Sequence, residues 1–261
     1  MMTLPPLNQW DSTRAGLHRA AQVVAAVRVA VSPPLPNALR HSLYPVRRGL
    51  TTGPLPLGGE LLLDFGARAV FYMRPALPHY EIPAHGDSQT SLAERLLRAL
   101  AQAGHSVALD SAHLDDSAPL EIDAGQAADY AAALYTVFTA AARFRARLFG
   151  PQSPVVVWPH NFDLSTLWFA GAGSDENRHQ HLAFGFAPAS QGFARPYLYA
   201  YARPHTPDLS ALALPAPAYV HDDGWTGVVV DYDDLVGLAE PDQAVEALYA
   251  DIYRALLPLV E

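Results

Sequence analysis

The sequence contains no cysteine. A disulfide, a zinc site with thiolate ligands and a thiol nucleophile are therefore excluded. The absence of cysteine also fits a reducing compartment, because disulfides persist mainly in oxidising surroundings. The first residues lack the basic segment and apolar core of a signal peptide. From these two absences we expect a cytoplasmic protein.

Lysine is absent as well, so all 17 basic side chains are arginines. This excludes a lysine Schiff base and the lysine of a phosphate-binding P-loop. The net charge of −9 argues against nucleic-acid binding, because phosphate contacts require a basic face. The use of arginine alone, in an alanine- and proline-rich chain, is typical of a GC-rich genome rather than of a particular function.

The sequence also lacks an apolar run long enough for a membrane helix. Its longest apolar segment, Leu17 to Val31, is interrupted by Arg19, Gln22 and Arg28, and it falls short of the ~20 residues that span a bilayer. We therefore expect no membrane partner. Half of the 261 residues are hydrophobic, which is enough for a sizeable core, and we expect a single domain over residues 1–261.

Four segments have the apolar spacing of amphipathic helices. They begin near Thr13, Ser91, Ala124 and Pro241, and proline is well placed at a first helical position. Ser91 and Glu94 match a capping box, which predicts the start of the second helix. Each helix has an apolar stripe that must be buried against another layer.

Several short apolar runs, rich in β-branched and aromatic residues and bounded by turn residues, are typical of strands. They cover 44–50, 77–82, 106–109, 155–158, 164–169, 181–187, 196–203 and 225–231, and a hairpin over 60–73 turns at Gly66-Ala67. Pro45 places the first strand at a sheet edge. Because strands cluster without regular alternation with helices, we expect an α+β fold with one mainly antiparallel sheet, packed with about four amphipathic helices.

The segment from Ser153 to Phe169 is the most informative part of the chain. Its two predicted strands flank a polar hinge that contains His160, Asn161 and Asp163. Polar groups between buried strands need partners, because leaving them unpaired is costly. We therefore expect functional residues to lie near this hinge.

A candidate metal set contains His160, Asp163, Glu176, His179 and His181. Imidazole and carboxylate ligands suit zinc, iron or manganese. However, no H-E-x-x-H motif is present, and eleven histidines make chance groupings common. We therefore expect no resident metal and no other cofactor, and we keep this set as a minor alternative.

A second candidate is a polar cluster, whose predicted members are His41, Arg48, Thr51, Thr52, Asp163 and His179. An arginine with threonine hydroxyls can bind a carboxylate or a phosphate, and Asp163 can orient a histidine as a general base. The alternative is a buried hydrogen-bond network that ties the irregular segment 37–54 to the sheet. In either case we expect Asp163 to be buried and bonded to another member of the cluster.

Taken together, several short motifs resemble a bacterial family known only as a domain of unknown function. The matching residues are Asn37, His41, Leu43-Tyr44, Arg48 to Thr52, Pro54, Ser153 to Val155, Phe162 to Leu164, His179, Gly185-Phe186, Pro188 and Tyr199 to Ala202. The chain departs from the family pattern at His160 and Gln180. The resemblance covers nearly the whole chain, and it implies one domain but no known activity.

Three functions fit these observations. We favour a protein with a polar pocket that binds a small, anionic molecule. The first alternative is a metal-dependent hydrolase or a similar enzyme, which a metal titration distinguishes. The second is a protein-interaction module without catalysis, for which a large exposed apolar patch is the expected sign.

Overall fold

The computed structural model describes residues 3–110 and 113–260 and confirms the predicted α+β class. In these residues the α-helices are α1 (Asp11–Val31), α2 (Gln89–Gln102), α3 (Ala124–Arg145) and α4 (Pro241–Leu256), and 3-10 helices cover Pro36–His41, Tyr232–Leu235 and Leu257–Leu259. The strands are β1 (Tyr44–Val46), β2 (Gly49–Thr51), β3 (Glu60–Asp64), β4 (Ala69–Met73), β5 (Tyr80–Pro83), β6 (Val156–Trp158), β7 (Asp163–Phe169), β8 (His181–Ala187), β9 (Tyr197–Arg203), β10 (Tyr219–His221) and β11 (Gly227–Asp231). They form two antiparallel sheets rather than the one that we expected.

The chain divides into two compact units. Unit 1 comprises Met1–Pro6, Thr136–Val156 and Asp163–Glu261, and unit 2 comprises Leu7–Tyr135 and Val157–Phe162. The chain passes between them after Pro6, within α3, within β6 and after Phe162. The expectation of a single domain stays a prediction.

In unit 2, the sheet is a meander with the strand order β1-β2-β3-β4-β5. The β3–β4 hairpin has the predicted turn, and Pro45 lies in the edge strand β1, as predicted. Helix α1 contacts β3, and α2 contacts β4 and β5. Leu17 of α1 and Leu96 of α2 are completely buried, which confirms the predicted apolar stripes.

The start of α2 differs from the prediction by about one turn. Ser88 is the N-cap, and its Oγ accepts a hydrogen bond from the backbone N–H of Ser91. The predicted capping residue Ser91 therefore lies inside the helix. Ser91 occupies the N3 position relative to Ser88, whose extended backbone places the cap one turn earlier than predicted.

Helix α1 carries a buried arginine near its end. The Arg28 guanidinium donates to the carbonyl oxygen of Ser42 and, over 3.2 Å, to the Tyr44 hydroxyl. It also lies over the Tyr44 ring. These contacts hold the segment after the first 3-10 helix beside α1, because a buried arginine stays charged and needs acceptors. None of the helices in the described ranges, α1 included, has both the length and the apolarity to cross a bilayer.

Unit 1 contains five neighbouring strands of the six-stranded sheet, in the order β10-β11-β9-β8-β7. Helix α4 packs on this sheet, where Tyr249 donates from its hydroxyl to the carbonyl oxygen of Gly185 at 2.9 Å. Phe144 near the end of α3 packs against Phe184 of β8 in the same layer. The sequence missed β10, which has only three residues, and the strand predicted over 106–109 is wrong because this segment is irregular.

Candidate functional site

Unit 2 contains an open cavity of about 820 Å³ beside α1. Ala25, Ala26, Val29 and Ala30 form its floor, since these positions share one face of the helix. Their small side chains leave space above the helix that larger ones would fill. The volume falls in the range of about 300–1,000 Å³ that is usual for small-molecule sites.

Polar side chains, one tryptophan and a few apolar residues line the rest of this cavity. The polar ones are Gln22, His41, Asp110, His113 and His160. His41 ends the first 3-10 helix, and His160 lies in the turn after β6, edge-on to the Trp158 ring at 6.1 Å between centroids. The three imidazoles are exposed to solvent, so a ligand entering the cavity would meet them.

The backbone that leads to His41 is strained. Asn37 and Ala38 have φ values of +49° and +53°, in the left-handed region. Asparagine tolerates this region, whereas alanine pays about 1–2 kcal/mol. Such conformations persist where surrounding structure holds them and are common near binding sites. Ala38 lines the cavity, so the strain occurs in its wall.

Two histidines at or beside the cavity, His41 and His18, favour the neutral form. Burial, followed by the nearby charges of Arg40 and His160, lowers the pKa of His41. Burial is also the main reason for the lowered pKa of His18, which donates a hydrogen bond to the backbone carbonyl of Pro159. Since an amide carbonyl can only accept, the Nε2 of His18 donates over this distance of 2.7 Å. His41 therefore gains its positive charge at a lower pH than an ordinary histidine.

A second group of polar side chains lies on the sheet of unit 1. Asp163 is buried, as predicted, and its Oδ2 accepts a hydrogen bond from the Tyr199 hydroxyl. Ser165, Gly185 and Tyr199 face one another across β7, β8 and β9. A Cβ on Gly185 would lie 2.2 Å from Cζ of Tyr199, so glycine gives this ring its path across β8 to Asp163.

The Tyr199 hydroxyl remains protonated in this position. Burial, and then the charge of Asp163, raises the pKa of Tyr199 well above its ordinary value. The neighbouring Tyr201 stacks on it at 5.7 Å, and burial raises the pKa of Tyr201 to about 12. The bond between Tyr199 and Asp163 was not predicted from the sequence. A glycine inside β8, opposite an aromatic strand, was the available signal.

A comparison with family models gives the relationship of the chain. The model of the Family of unknown function (DUF5996) matches residues 3–260. The chain belongs to this family. The resemblance seen in the sequence is thereby confirmed, and neither the curated proteins nor the solved structures contain a match. Because the function of this family is unknown, membership of DUF5996 assigns no activity to the chain.

In this DUF5996 chain, the six predicted cluster residues are divided between the units. His41, Arg48, Thr51 and Thr52 lie in unit 2, whereas Asp163 and His179 lie in unit 1. Their gathering into one cluster stays a prediction. Of the six, His41 lines the cavity of unit 2.

The partners shown for the arginine and the threonines are local. Arg48 pairs with Asp64 at 3.0 Å. The Thr51 hydroxyl donates to Glu60, and the Thr52 hydroxyl accepts from the backbone N–H of Leu61. These bonds pin β2 and the following residues to β3, which is the structural role that we kept as the alternative.

Two of the candidate metal ligands, His179 and His181, form other hydrogen bonds. His179 accepts a hydrogen bond from the backbone N–H of Asp175, and buried His181 donates from Nδ1 to the carbonyl oxygen of His179. Burial lowers the pKa of His181, and burial followed by Asp175 raises the pKa of Glu176. Within residues 3–110 and 113–260, no group of three or more histidine, aspartate or glutamate residues is arranged to hold a metal ion.

Proposed function

We propose that the cavity of unit 2 binds a small organic molecule with an apolar body and an anionic group. The observation that carries this proposal is a cavity of about 820 Å³ with an apolar helix face as its floor and imidazoles at its rim. The floor and the Trp158 ring suit an apolar body, and imidazole N–H groups suit an anionic oxygen. Arg40, whose Nε lies 3.3 Å from His41 Nε2, adds a permanent positive charge nearby.

The proposal assigns ligand contact to His41 and His160, and structural roles to Arg48, Thr51, Thr52, Asp163 and His179. It extends to the setting of the protein: a bacterial, cytoplasmic chain that folds as one domain and has a small molecule rather than a nucleic acid as its partner. The charge of −9, the absence of cysteine and the family resemblance support this setting.

A side chain that fills the cavity should strongly weaken ligand binding. Ala26 is half-buried in the cavity floor, and an Ala26→Phe ring would project into the space above α1. With naphthalene-2-sulfonate as the probe, measured by calorimetry and ligand-observed NMR, we expect the affinity of this variant to fall at least tenfold. Ala101→Phe, at an exposed position of α2, is the matched control and should bind like the wild type. A wild type that does not bind the probe, or an Ala26→Phe variant that binds it equally well, would contradict the proposal.

Affinity for an anion should rise as the pH falls. The lowered pKa of His41 keeps its imidazole neutral at pH 7.5, and acidification through the lowered value adds a positive charge at the rim. Because an exposed ion pair contributes about 0.2–1 kcal/mol, binding of naphthalene-2-sulfonate should strengthen by up to about fivefold once the pH is low enough to protonate His41, which is below the ordinary histidine range. Naphthalene-2-sulfonamide, which is neutral, should show no such change, and His41→Ala should reduce the pH effect. Equal pH profiles for the two probes would remove the anionic part of the proposal.

A further inference from the structure

One polar side chain of the cavity in unit 2, Gln22, extends the line of alanines that forms its floor. Ala25 and Ala26 follow Gln22 by three and four residues on α1, so they share one face of the helix. Ala30 lies about 12 Å further along this face, at 1.5 Å of rise per residue. Gln22 is half-buried and lines the cavity. The orientation of its amide therefore decides which polar atoms a ligand meets at this end of the floor.

The Gln22 amide is oriented by Gln89, a buried residue at the start of α2. The amide nitrogen of Gln89 lies 3.2 Å from the carbonyl oxygen of Arg19 and 2.9 Å from Oε1 of Gln22. Because a backbone carbonyl can only accept, the nitrogen of Gln89 must face α1. Its second N–H group then requires an acceptor, which only Oε1 of Gln22 provides. The amide nitrogen of Gln22 is thereby turned away from Gln89 and towards His18.

His18, one turn earlier on α1, does not accept a hydrogen bond from this nitrogen. Its Nε2 lies 2.7 Å from the carbonyl oxygen of Pro159 and 3.2 Å from Nε2 of Gln22. The carbonyl requires a hydrogen on Nε2 of His18, and a ring nitrogen that carries a hydrogen is not an acceptor. The Gln22 nitrogen therefore faces another donor. Within residues 3–110 and 113–260, neither of its N–H groups has a hydrogen-bond acceptor.

We propose that Gln22 donates a hydrogen bond to an oxygen of the ligand's anionic group and so selects ligands that carry a carboxylate or a sulfonate beside an apolar body. The assignment rests on the function that is proposed for this cavity. A partly buried donor without an acceptor is costly, so a ligand oxygen that accepts from it gains affinity. Pro159, which accepts from His18, directly precedes His160, so the Gln22 amide and the His160 imidazole belong to the same end of the cavity.

The same arrangement rejects a ligand that presents only donors at this position. Such a group would meet the N–H groups of Gln22, and the nearby Nε2 of His18 is also a donor. Selectivity of this kind comes from leaving polar groups of the site unpaired with the wrong ligand. The bond from Gln89 holds the amide in place before a ligand enters, which reduces the entropy lost on binding.

The position of the hydrogen on His18 can be tested without a ligand. At pH 7.5 we expect ¹⁵N NMR of the histidine rings, with signals assigned through each Cβ, to show His18 protonated on Nε2. An Nε2 without a hydrogen would overturn the assignment of Gln22, because Gln22 would then donate to His18. That result would leave the proposed binding of an anion in the cavity unaffected.

Gln22→Glu tests the donor, since glutamate keeps an oxygen for Gln89 but offers the ligand no N–H group. In calorimetry, affinity for naphthalene-2-sulfonate should fall about tenfold. Affinity for naphthalene-2-sulfonamide should fall less than about threefold, because its N–H group can donate to the new carboxylate. Gln102→Glu adds the same charge at an exposed position of α2 and should bind both probes like the wild type. A parallel loss of both probes in Gln22→Glu would overturn the assignment.

Gln22→Met separates the hydrogen bond from the added charge, because methionine has a similar length but neither donor nor charge. It should also weaken sulfonate binding about tenfold. Equal sulfonate affinities of Gln22→Met and the wild type would overturn the role of Gln22 and leave the cavity proposal standing, whereas a wild type that does not bind the sulfonate would overturn both. Near-ultraviolet circular dichroism establishes that each variant is folded, and Gln22→Glu decides the result if Gln22→Met does not fold.

Discussion

Gly185→Ala should lower the free energy of unfolding by about 3 kcal/mol, although it adds only one methyl group. The new Cβ would lie 2.2 Å from Cζ of Tyr199 and 2.5 Å from the carbonyl oxygen of Leu164. Overpacking of a buried site costs typically about 1–3 kcal/mol. We expect the upper end, because the second contact is with backbone in the centre of a sheet and cannot move away without disturbing β7.

Urea unfolding of Gly185→Ala and Gly171→Ala provides the comparison. Gly171 has no heavy atom within 4 Å of its added Cβ, so its change should stay within about 0.5 kcal/mol of the wild type. The loss of the tyrosine-rich packing is visible in near-ultraviolet circular dichroism. If the two variants unfold at the same urea concentration, the close approach of Tyr199 to Gly185 is not present in solution.

Asp163→Ala should lower the free energy of unfolding by about 2–3 kcal/mol, and Tyr199→Phe by a similar amount. Each change leaves one buried polar group without the hydrogen bond that joins these side chains. Hydrogen bonds to charged groups contribute about 1.5–3 kcal/mol, and an abandoned buried partner costs about 1–3 kcal/mol. The raised pKa of Tyr199 keeps its hydroxyl as a donor throughout the neutral range.

A double-mutant cycle isolates the Asp163–Tyr199 bond. We expect the double variant to be more stable than the sum of the single changes predicts, with a coupling of about 1–3 kcal/mol, because it removes both partners of this bond and each single change removes only one. Tyr219→Phe is the matched control, since Tyr219 makes the same kind of bond to Asp231 at the protein surface. It should cost less than about 1 kcal/mol. Equal losses in Tyr199→Phe and Tyr219→Phe would show that burial adds nothing to the bond.

Local features of the fold could be predicted because their causes are local. Apolar spacing located the helices, and Pro45 marked an edge strand because it has no N–H for a second neighbour. The division of the strands into two sheets could not be predicted. It depends on which strand pairs with which over long sequence separations, and an alternating pattern specifies a face but not a partner.

In the candidate sites, too, some features could be predicted from the sequence and others could not. The burial of Asp163 was predictable, because the apolar residues that follow it indicate a buried strand. Its partner Tyr199 was not, because the contact depends on the register of three strands and on the space above Gly185. The cavity could not be predicted from the sequence either. Alanines such as Ala26 are ordinary helix formers, and only the folded positions of the surrounding segments show that space remains above them. His41 and His160 were singled out separately, and the fold of unit 2 places both at this cavity.

The two edge strands of the five-stranded sheet affect the tendency of the protein to aggregate at high concentration. The outer strand β1 has Pro45 at its centre and β5 ends at Pro83, so both edges lack an N–H that an incoming strand would need. Beside β1, the backbone of Leu43 is already engaged by Val157. An open edge invites the sheets of neighbouring molecules to join into fibrils. This sheet discourages such growth, and a chain that is half hydrophobic thereby gains protection from forming aggregates during synthesis and at high concentration.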